Sequence, residues 1–311
     1  MRTNRFFRYR ELHDTGFSEK ASTQTSRLLN KDGTYNVSHH GLSFFERFHL
    51  FHWLITMSWS RFLLVVFISF VLINTAFATL YVLVGIEGLS GDVVHGLGDA
   101  YLKAFFFSTQ TLSTVGYGTI SPINTACSTV AAFESFTGVM GFAMATGLLY
   151  GRFSKPQPRM IFSRIGVVAP FREGTALMVR MANMKGTQYI NMSARIIMSR
   201  TENENGQDVR KFYNLNLDID KISLMVSTWT LVHPITEESP FFGVNSDMFL
   251  ASKPEILVLL NGYDETYSQE VHMRTSYTPE EIKWGVKFTK MLVQEDSGNT
   301  RVLFDQINET E

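Results

Sequence analysis

Two long apolar runs enclose a short glycine-containing segment, and that arrangement leaves this chain few ways to fold. Phe62 to Ile86 is a stretch of 25 residues without Asp, Glu, Lys or Arg, and Ile123 to Gly151 is one of 29 broken only by Glu134. Each is long enough for a helix of about 20 residues to cross a bilayer. The excess length of the second predicts a helix that continues past the membrane on one side. Between them, the 14 residues from Asp99 to Leu112 would span roughly 21 Å as a helix, too short to cross. They predict a re-entrant helix, which membrane depth tolerates only where protein surrounds it. The mean hydropathy near zero conceals this layout because the other half of the chain is ordinary polar sequence.

Directly after the re-entrant candidate comes Thr111-Leu-Ser-Thr114-Val115-Gly116-Tyr117-Gly118. Glycine adopts positive φ without a Cβ clash, so successive carbonyls can all be aimed at one axis. A ring of such carbonyls replaces the hydration shell of K⁺. The expected filter is Thr114 to Gly118, with K⁺ held by the carbonyls of Thr114, Val115, Gly116 and Tyr117 and by the Thr114 hydroxyl. One chain supplies one wall, and cyclic symmetry completes the ring, so a homotetramer is expected. A dinucleotide-binding turn is excluded because its third glycine would fall at position 121, which is Ser. No cofactor is expected beyond the permeant K⁺. The formal net charge of -1 carries no signal for nucleic acid.

Orientation follows from Arg152, Lys155, Arg159, Arg164 and Arg172, all of which precede the next acid, Glu173. Basic residues stay inside, so the C-terminal side is cytoplasmic, and two spans put the N-terminus there too. The first apolar run lies too far in and is too long for a cleavable signal. Cys127 is the only cysteine, so no intrachain disulfide forms.

The expected domains are an N-terminal tail over 1–42, an interfacial helix over 43–60, a pore domain over 61–154 and a β domain over 155–311. Ser43 to Glu46 matches a capping box, and Phe44, Phe48, Phe51 and Ile55 recur on one helical face. With Trp53 and Trp59 this reads as an amphipathic helix lying in the inner interface. His49 and His52 are interfacial residues, since a metal site needs further ligands.

The second span is expected to begin at Ser121-Pro122 as N-cap and first turn and to line the pore. Phe142 and Tyr150 share one face with Thr146 between them. The two aromatics are the gate candidates, because a ring of bulky apolar side chains closes a pore by dewetting, and lipid-facing or packing aromatics are the alternative. Thr146 is a pore-lining candidate by position alone. Gly138, Gly141 and Gly147 are hinge candidates or close-packing positions. Glu134 is expected to support the filter through a buried hydrogen bond or to contact ions.

Beyond Pro156 and Pro158 the pattern changes to short β-type runs separated by turn residues. Ile190, Met192, Ala194, Ile196 and Met198 alternate with mostly polar neighbours, and 176–184, 209–217, 222–232 and 256–260 read as further strands. These predict an all-β domain, a sandwich. Its Ser, His and acidic residues have no spacing that suggests an enzyme. A channel gated by a small molecule on the β domain, or a tethered sensor that has lost conduction, are the competing classes. The intact glycine filter argues against the sensor.

Several segments together resemble the inward-rectifier potassium channels, the bacterial branch in particular. They are the filter, Leu29 to Gly33, Gly151 to Pro156, His233-Pro234-Ile235, Glu238-Ser239-Pro240, Arg274 to Tyr277 and Glu281 to Gly285. The resemblance covers roughly residues 28 to 305. It implies a two-span pore with an immunoglobulin-like cytoplasmic β-sandwich, in a tetramer of a bacterial inner membrane. It also implies anionic phospholipid or phosphoinositide at Arg152, Lys155 and Lys185, with inhibition favoured. Gln110 stands where relatives often carry Glu, so hydrogen bonds are expected to replace an ion pair behind the filter. Phe142 and Asn191 stand where strong rectifiers carry acids, which implies weak polyamine block.

Overall fold

The computed structural model describes residues 27–36, 41, 49–155, 160–184, 188–204, 207–296 and 298–311. The chain divides into two compact units, His40–Lys155 and a second made of Met1–His39 with Pro156–Glu311.

In the first unit, α1 (Leu50–Thr56) is followed by α2 (Trp59–Val84), α3 (Leu97–Leu112) and α4 (Thr125–Phe153). Met57 and Ser58 are extended and separate α1 from α2. The continuous interfacial helix expected to residue 60 therefore stops at Thr56. Its capping box, with Phe44 and Phe48, lies outside the described residues. At 16 residues α3 reaches about 24 Å, short of a crossing. The N-cap of α4 is Asn124, not Ser121: the Asn124 side chain accepts from the Cys127 N–H at 2.8 Å. Ser121 is instead engaged in a bridge with the loop after α2, where Ser90 N–H donates to its carbonyl at 2.8 Å and Leu89 pairs with Pro122.

Tyr81, Ala78, Ala104, Phe107, Cys127 and Leu89 form the core of this unit, with the Tyr81 and Phe107 rings edge to face at 5.0 Å. Only 11% of the most apolar window of each long helix is buried. Leu63, Leu64, Phe67, Leu72 and Leu83 are among the large apolar side chains left exposed. So much contiguous apolar surface needs lipid or partner chains against it.

The second unit is a β-sandwich. One sheet joins β1 (Met160–Phe162), β2 (Gly166–Phe171), β3 (Gly174–Asn183), β7 (Thr228–Pro234) and β10 (Ile282–Trp284). The other joins β4 (Tyr189–Glu204), β5 (Gln207–Leu215), β6 (Lys221–Met225), β8 (Glu255–Asp264) and β9 (Gln269–Tyr277), and β11 (Leu292–Gln294) pairs with β12 (Thr300–Val302). A short helix, α5 (Ser246–Ala251), precedes β8. Leu177, Val179 and Met181 of one sheet meet Ile196, Met198, Val258 and Leu260 of the other in the main core.

The alternation expected along β4 breaks at Asn191, where φ is +51° and the register slips between Ile190 and Ser193. The bulge shifts the parity by one, so Tyr189 rather than Ile190 shares the buried face with Met192. Farther on, Ile196 to Arg200 are all buried. There the outer face is covered too: Ile197, Phe212 and Leu257 pack with Leu29. Residues 27–36, expected in a separate tail, thus belong to the sandwich. Glu255 holds them by accepting from the Leu28 and Leu29 N–H groups at 2.8 and 3.1 Å, and it is paired with Arg210 at 3.0 Å. The run 222–232 expected as one strand is two, β6 and β7, one in each sheet.

Candidate functional site

The loop after α3 has the backbone that its glycines foretell. Gly116 and Gly118 have φ of +53° and +81°, and Thr114 also takes a left-handed φ of +60°. A Cβ at either glycine would meet nothing within 4 Å in this chain, so their requirement is conformational rather than steric. A non-glycine held left-handed is a strained residue of the kind that gathers at functional sites.

Gln110, on the last turn of α3, fixes how this loop faces. Its carbonyl accepts from the Gly116 N–H and its side-chain Oε1 from the Tyr117 N–H, both at 3.1 Å. In a trans peptide the N–H and the preceding C=O point in opposite directions. With the amides of residues 116 and 117 turned to Gln110, the carbonyls of Val115 and Gly116 therefore point away from it. The Val115 and Tyr117 side chains are exposed in the single chain.

Glu134 is fully buried behind α3. The Tyr81 hydroxyl donates to its Oε2 at 2.7 Å, and the Ser108 hydroxyl is hydrogen-bonded to its Oε1. Ser108 Oγ also lies 2.9 Å from Asn74 Oδ1, and Asn74 Nδ2 donates to the Phe70 carbonyl at 2.7 Å. One polar chain thus ties the re-entrant helix to both spanning helices. Glu134 thus makes buried hydrogen bonds to both neighbouring helices. Asn74, Tyr81 and Ser108 were not among the expected residues, although a mid-span Asn is a recognisable signal of a buried polar contact.

Gly138 is a close-packing position. A Cβ there would lie 2.3 Å from the Leu112 carbonyl oxygen, whereas at Gly141 or Gly147 it would meet nothing within 4 Å. Phe142, Thr146 and Tyr150 are exposed along α4, and the Thr146 hydroxyl donates back to the Phe142 carbonyl at 2.9 Å. Of the three expected lipid-binding cations, Lys155 is exposed and Lys185 lies outside the described residues. Arg152 departs from that expectation. Its guanidinium is buried against carbonyls of Leu54, Ile55 and Met57 and the rings of Trp59 and Phe62, because the chain before α2 offers it acceptors at the end of a helix.

Among the described residues no cluster of His, Cys, Asp or Glu has the makings of a metal site. In the sandwich, His233 is buried with Nδ1 on the Asn216 carbonyl and Nε2 on the Ser239 hydroxyl, each at 2.7 Å. Burial pushes its pKa below the ordinary histidine value. The imidazole is thus oriented by a carbonyl and a hydroxyl rather than by a carboxylate.

Residues 160–311 match the family model for the inward rectifier potassium channel C-terminal domain, and residues 67–155 match an ion channel model. The chain is 33% identical over 274 residues to the inward rectifier potassium channel Kirbac3.1 of Paramagnetospirillum magnetotacticum, covering 86% of this chain and 90% of that one. It is 26% identical over 315 residues to inward rectifier potassium channel irk-1 of Caenorhabditis elegans, covering 92% of this chain and 57% of the nematode one. To G protein-activated inward rectifier potassium channel 2 of Mus musculus it is 27% identical over 320 residues, covering 94% and 73%. These relatives are membrane channels rather than enzymes. With a two-span membrane unit, a re-entrant helix and a C-terminal β-sandwich, this chain belongs to the inward rectifier potassium channel family.

Proposed function

We propose that four copies of this chain form a potassium-selective channel in a bacterial cell membrane, with both termini cytoplasmic. The observation that carries the reading is the pair of peptide planes at Gln110. Their N–H groups are satisfied by protein, and the carbonyls of Val115 and Gly116 are left free to face an ion. Thr114 to Gly118 form the filter, Gln110 braces it directly, and Glu134 braces the helix beneath it. The exposed apolar surface of α2 and α4 supports assembly with further copies in lipid.

Phe142 and Tyr150 form the gate and Thr146 lines the pore between them. Lys155 and Lys185 meet anionic phospholipid, which inhibits conduction. With Phe142 and Asn191 rather than acids at those two positions, spermine finds less negative charge there and blocks weakly. The test is rubidium uptake into liposomes carrying the purified protein. Uptake stopped by barium and absent in Gly116→Ala supports the reading. A tetramer that takes up no rubidium in any lipid refutes it.

A further inference from the structure

Glu134 is fully buried on α4, and among the described residues no Lys, Arg or His pairs with it. Its two oxygens belong to one polar chain across three helices. Tyr81 Oη on α2 lies 2.7 Å from Oε2, and Ser108 Oγ on α3 is hydrogen-bonded to Oε1. Ser108 Oγ is also 2.9 Å from Asn74 Oδ1, and Asn74 Nδ2 is 2.7 Å from the Phe70 carbonyl. Each of these contacts needs one proton between its two heavy atoms, and the atom that brings it follows when the chain is taken from its far end.

The Phe70 carbonyl only accepts, so the amide nitrogen of Asn74 is the atom that faces it. A flipped amide would set two acceptor oxygens 2.7 Å apart. Asn74 Oδ1, which also only accepts, is thereby turned toward Ser108, and the single hydroxyl proton of Ser108 goes to it. Ser108 then has nothing left to donate to Glu134. Tyr81 supplies the proton at Oε2, and the contact between Ser108 and Oε1 has none unless Glu134 brings it. An ionised carboxylate only accepts. It would leave two oxygens facing each other at Oε1 or, were Ser108 to turn its proton round, at Asn74. It would also hold an unpaired charge at membrane depth, a cost that proteins avoid by neutralising the group.

We propose that Glu134 is a neutral carboxylic acid whose Oε1 hydroxyl donates to Ser108, so that donation runs one way from Glu134 through Ser108 and Asn74 to Phe70. With Tyr81 donating to Oε2, every contact in the chain holds one proton, and a polar network of this kind is strongest when fully satisfied. Ser108 stands two residues before Gln110. The re-entrant helix is therefore held from both spanning helices at that turn without a fixed negative charge behind the proposed filter. That consequence rests on the channel reading above, whereas the proton itself does not. Glutamine can reproduce the pattern, with Nε2 in place of the acid hydroxyl and its carbonyl oxygen accepting from Tyr81.

The experiment is infrared difference spectroscopy of the purified full-length protein at neutral pH, in a detergent without ester groups so that no lipid carbonyl masks the region. Subtracting the Glu134→Gln spectrum from that of the unsubstituted protein should leave a carboxylic-acid C=O band that moves to lower frequency in heavy water. A difference confined to the carboxylate stretches overturns the proposal. Glu134→Gln should melt with the unsubstituted protein while Glu134→Ala melts lower, and a Gln protein that melts as low as the Ala protein also overturns it. If Glu134→Gln does not assemble, Tyr81→Phe takes its place. Loss of the donor to Oε2 must move the same band to higher frequency, and a spectrum without that shift overturns the proposal. Should the unsubstituted chain take up no barium-sensitive rubidium, the channel reading falls while the band still decides the proton.

Discussion

The two halves of α4 are held in opposite ways. From Thr125 to Gly138 the helix buries Cys127, Glu134 and Gly138, and between Gly138 and Arg152 it buries nothing. The outer half is locked by contacts with no slack: Glu134 to Tyr81 and Ser108, and the bare Cα of Gly138 against the Leu112 carbonyl. The inner half carries exposed Phe142, Met144 and Tyr150. The proposed filter, whose ligands would be backbone carbonyls, needs the first kind of frame, since drift would misplace them. Segments with few buried contacts are the ones that move at low cost. Within one chain, then, α4 is anchored over its outer half and buries no side chain between Gly138 and Arg152.

The contrast breaks most readily at the glycines. Gly138→Ala should force the end of α3 away, lowering tetramer stability by about 1–3 kcal/mol per subunit as overpacking does and abolishing rubidium uptake. Gly147→Ala should leave thermal stability unchanged. Equal effects from the two would erase the distinction between the halves. Next in size is Gln110→Ala, which strands the Tyr117 N–H at a cost of about 1–3 kcal/mol. The protection that K⁺ gives the tetramer against heat should shrink accordingly, and unaltered protection would remove Gln110 from the filter's support. Tyr81→Phe deletes one of the hydrogen bonds to Glu134, for a loss of about 1 kcal/mol by thermal melt.

The smallest effect serves as a control outside α4. Burial holds His233 neutral in the folded sandwich, with Nδ1–H donated to the Asn216 carbonyl. Its folded pKa is lower than its unfolded one, so the unfolded chain binds more protons as pH falls. The stability it contributes is complete above the ordinary histidine range of about 6.5 and is lost as pH drops below it. Melting the protein across mildly acidic pH should reveal this decline, and His233→Gln should flatten it.

How far these features could be read in advance depended on how local their physics is. The filter turn was legible because positive φ at residues 116 and 118 is a demand on glycine itself, and the spans were legible because a charge-free run needs no tertiary information. Asn74 stood in plain view inside such a run, yet its link to Ser108 and Glu134 joins three separate helices. Arg152 read as a basic residue past a membrane span and, through the resemblance, as a lipid ligand. Nothing in the sequence reveals that its fork ends on carbonyls some 97 residues earlier. In the sandwich, the period of two marked β4 but not the bulge at Asn191, which depends on pairing with β8. β9 carries the same period in Val271, Met273 and Thr275, a readable signal absent from the expected strands. The three-residue strands β1, β10, β11 and β12 are too short for any period to register.

The central claim is that Gln110 turns the Val115 and Gly116 carbonyls toward the ion path. Anomalous diffraction from crystals of the full-length protein grown in rubidium tests it most directly. The account predicts rubidium peaks on a four-fold axis at coordination distance from those two carbonyls, and their loss in Gly116→Ala. Ordered density for residues 114–118 with no rubidium beside those oxygens, or with the carbonyls turned toward Gln110, would contradict it.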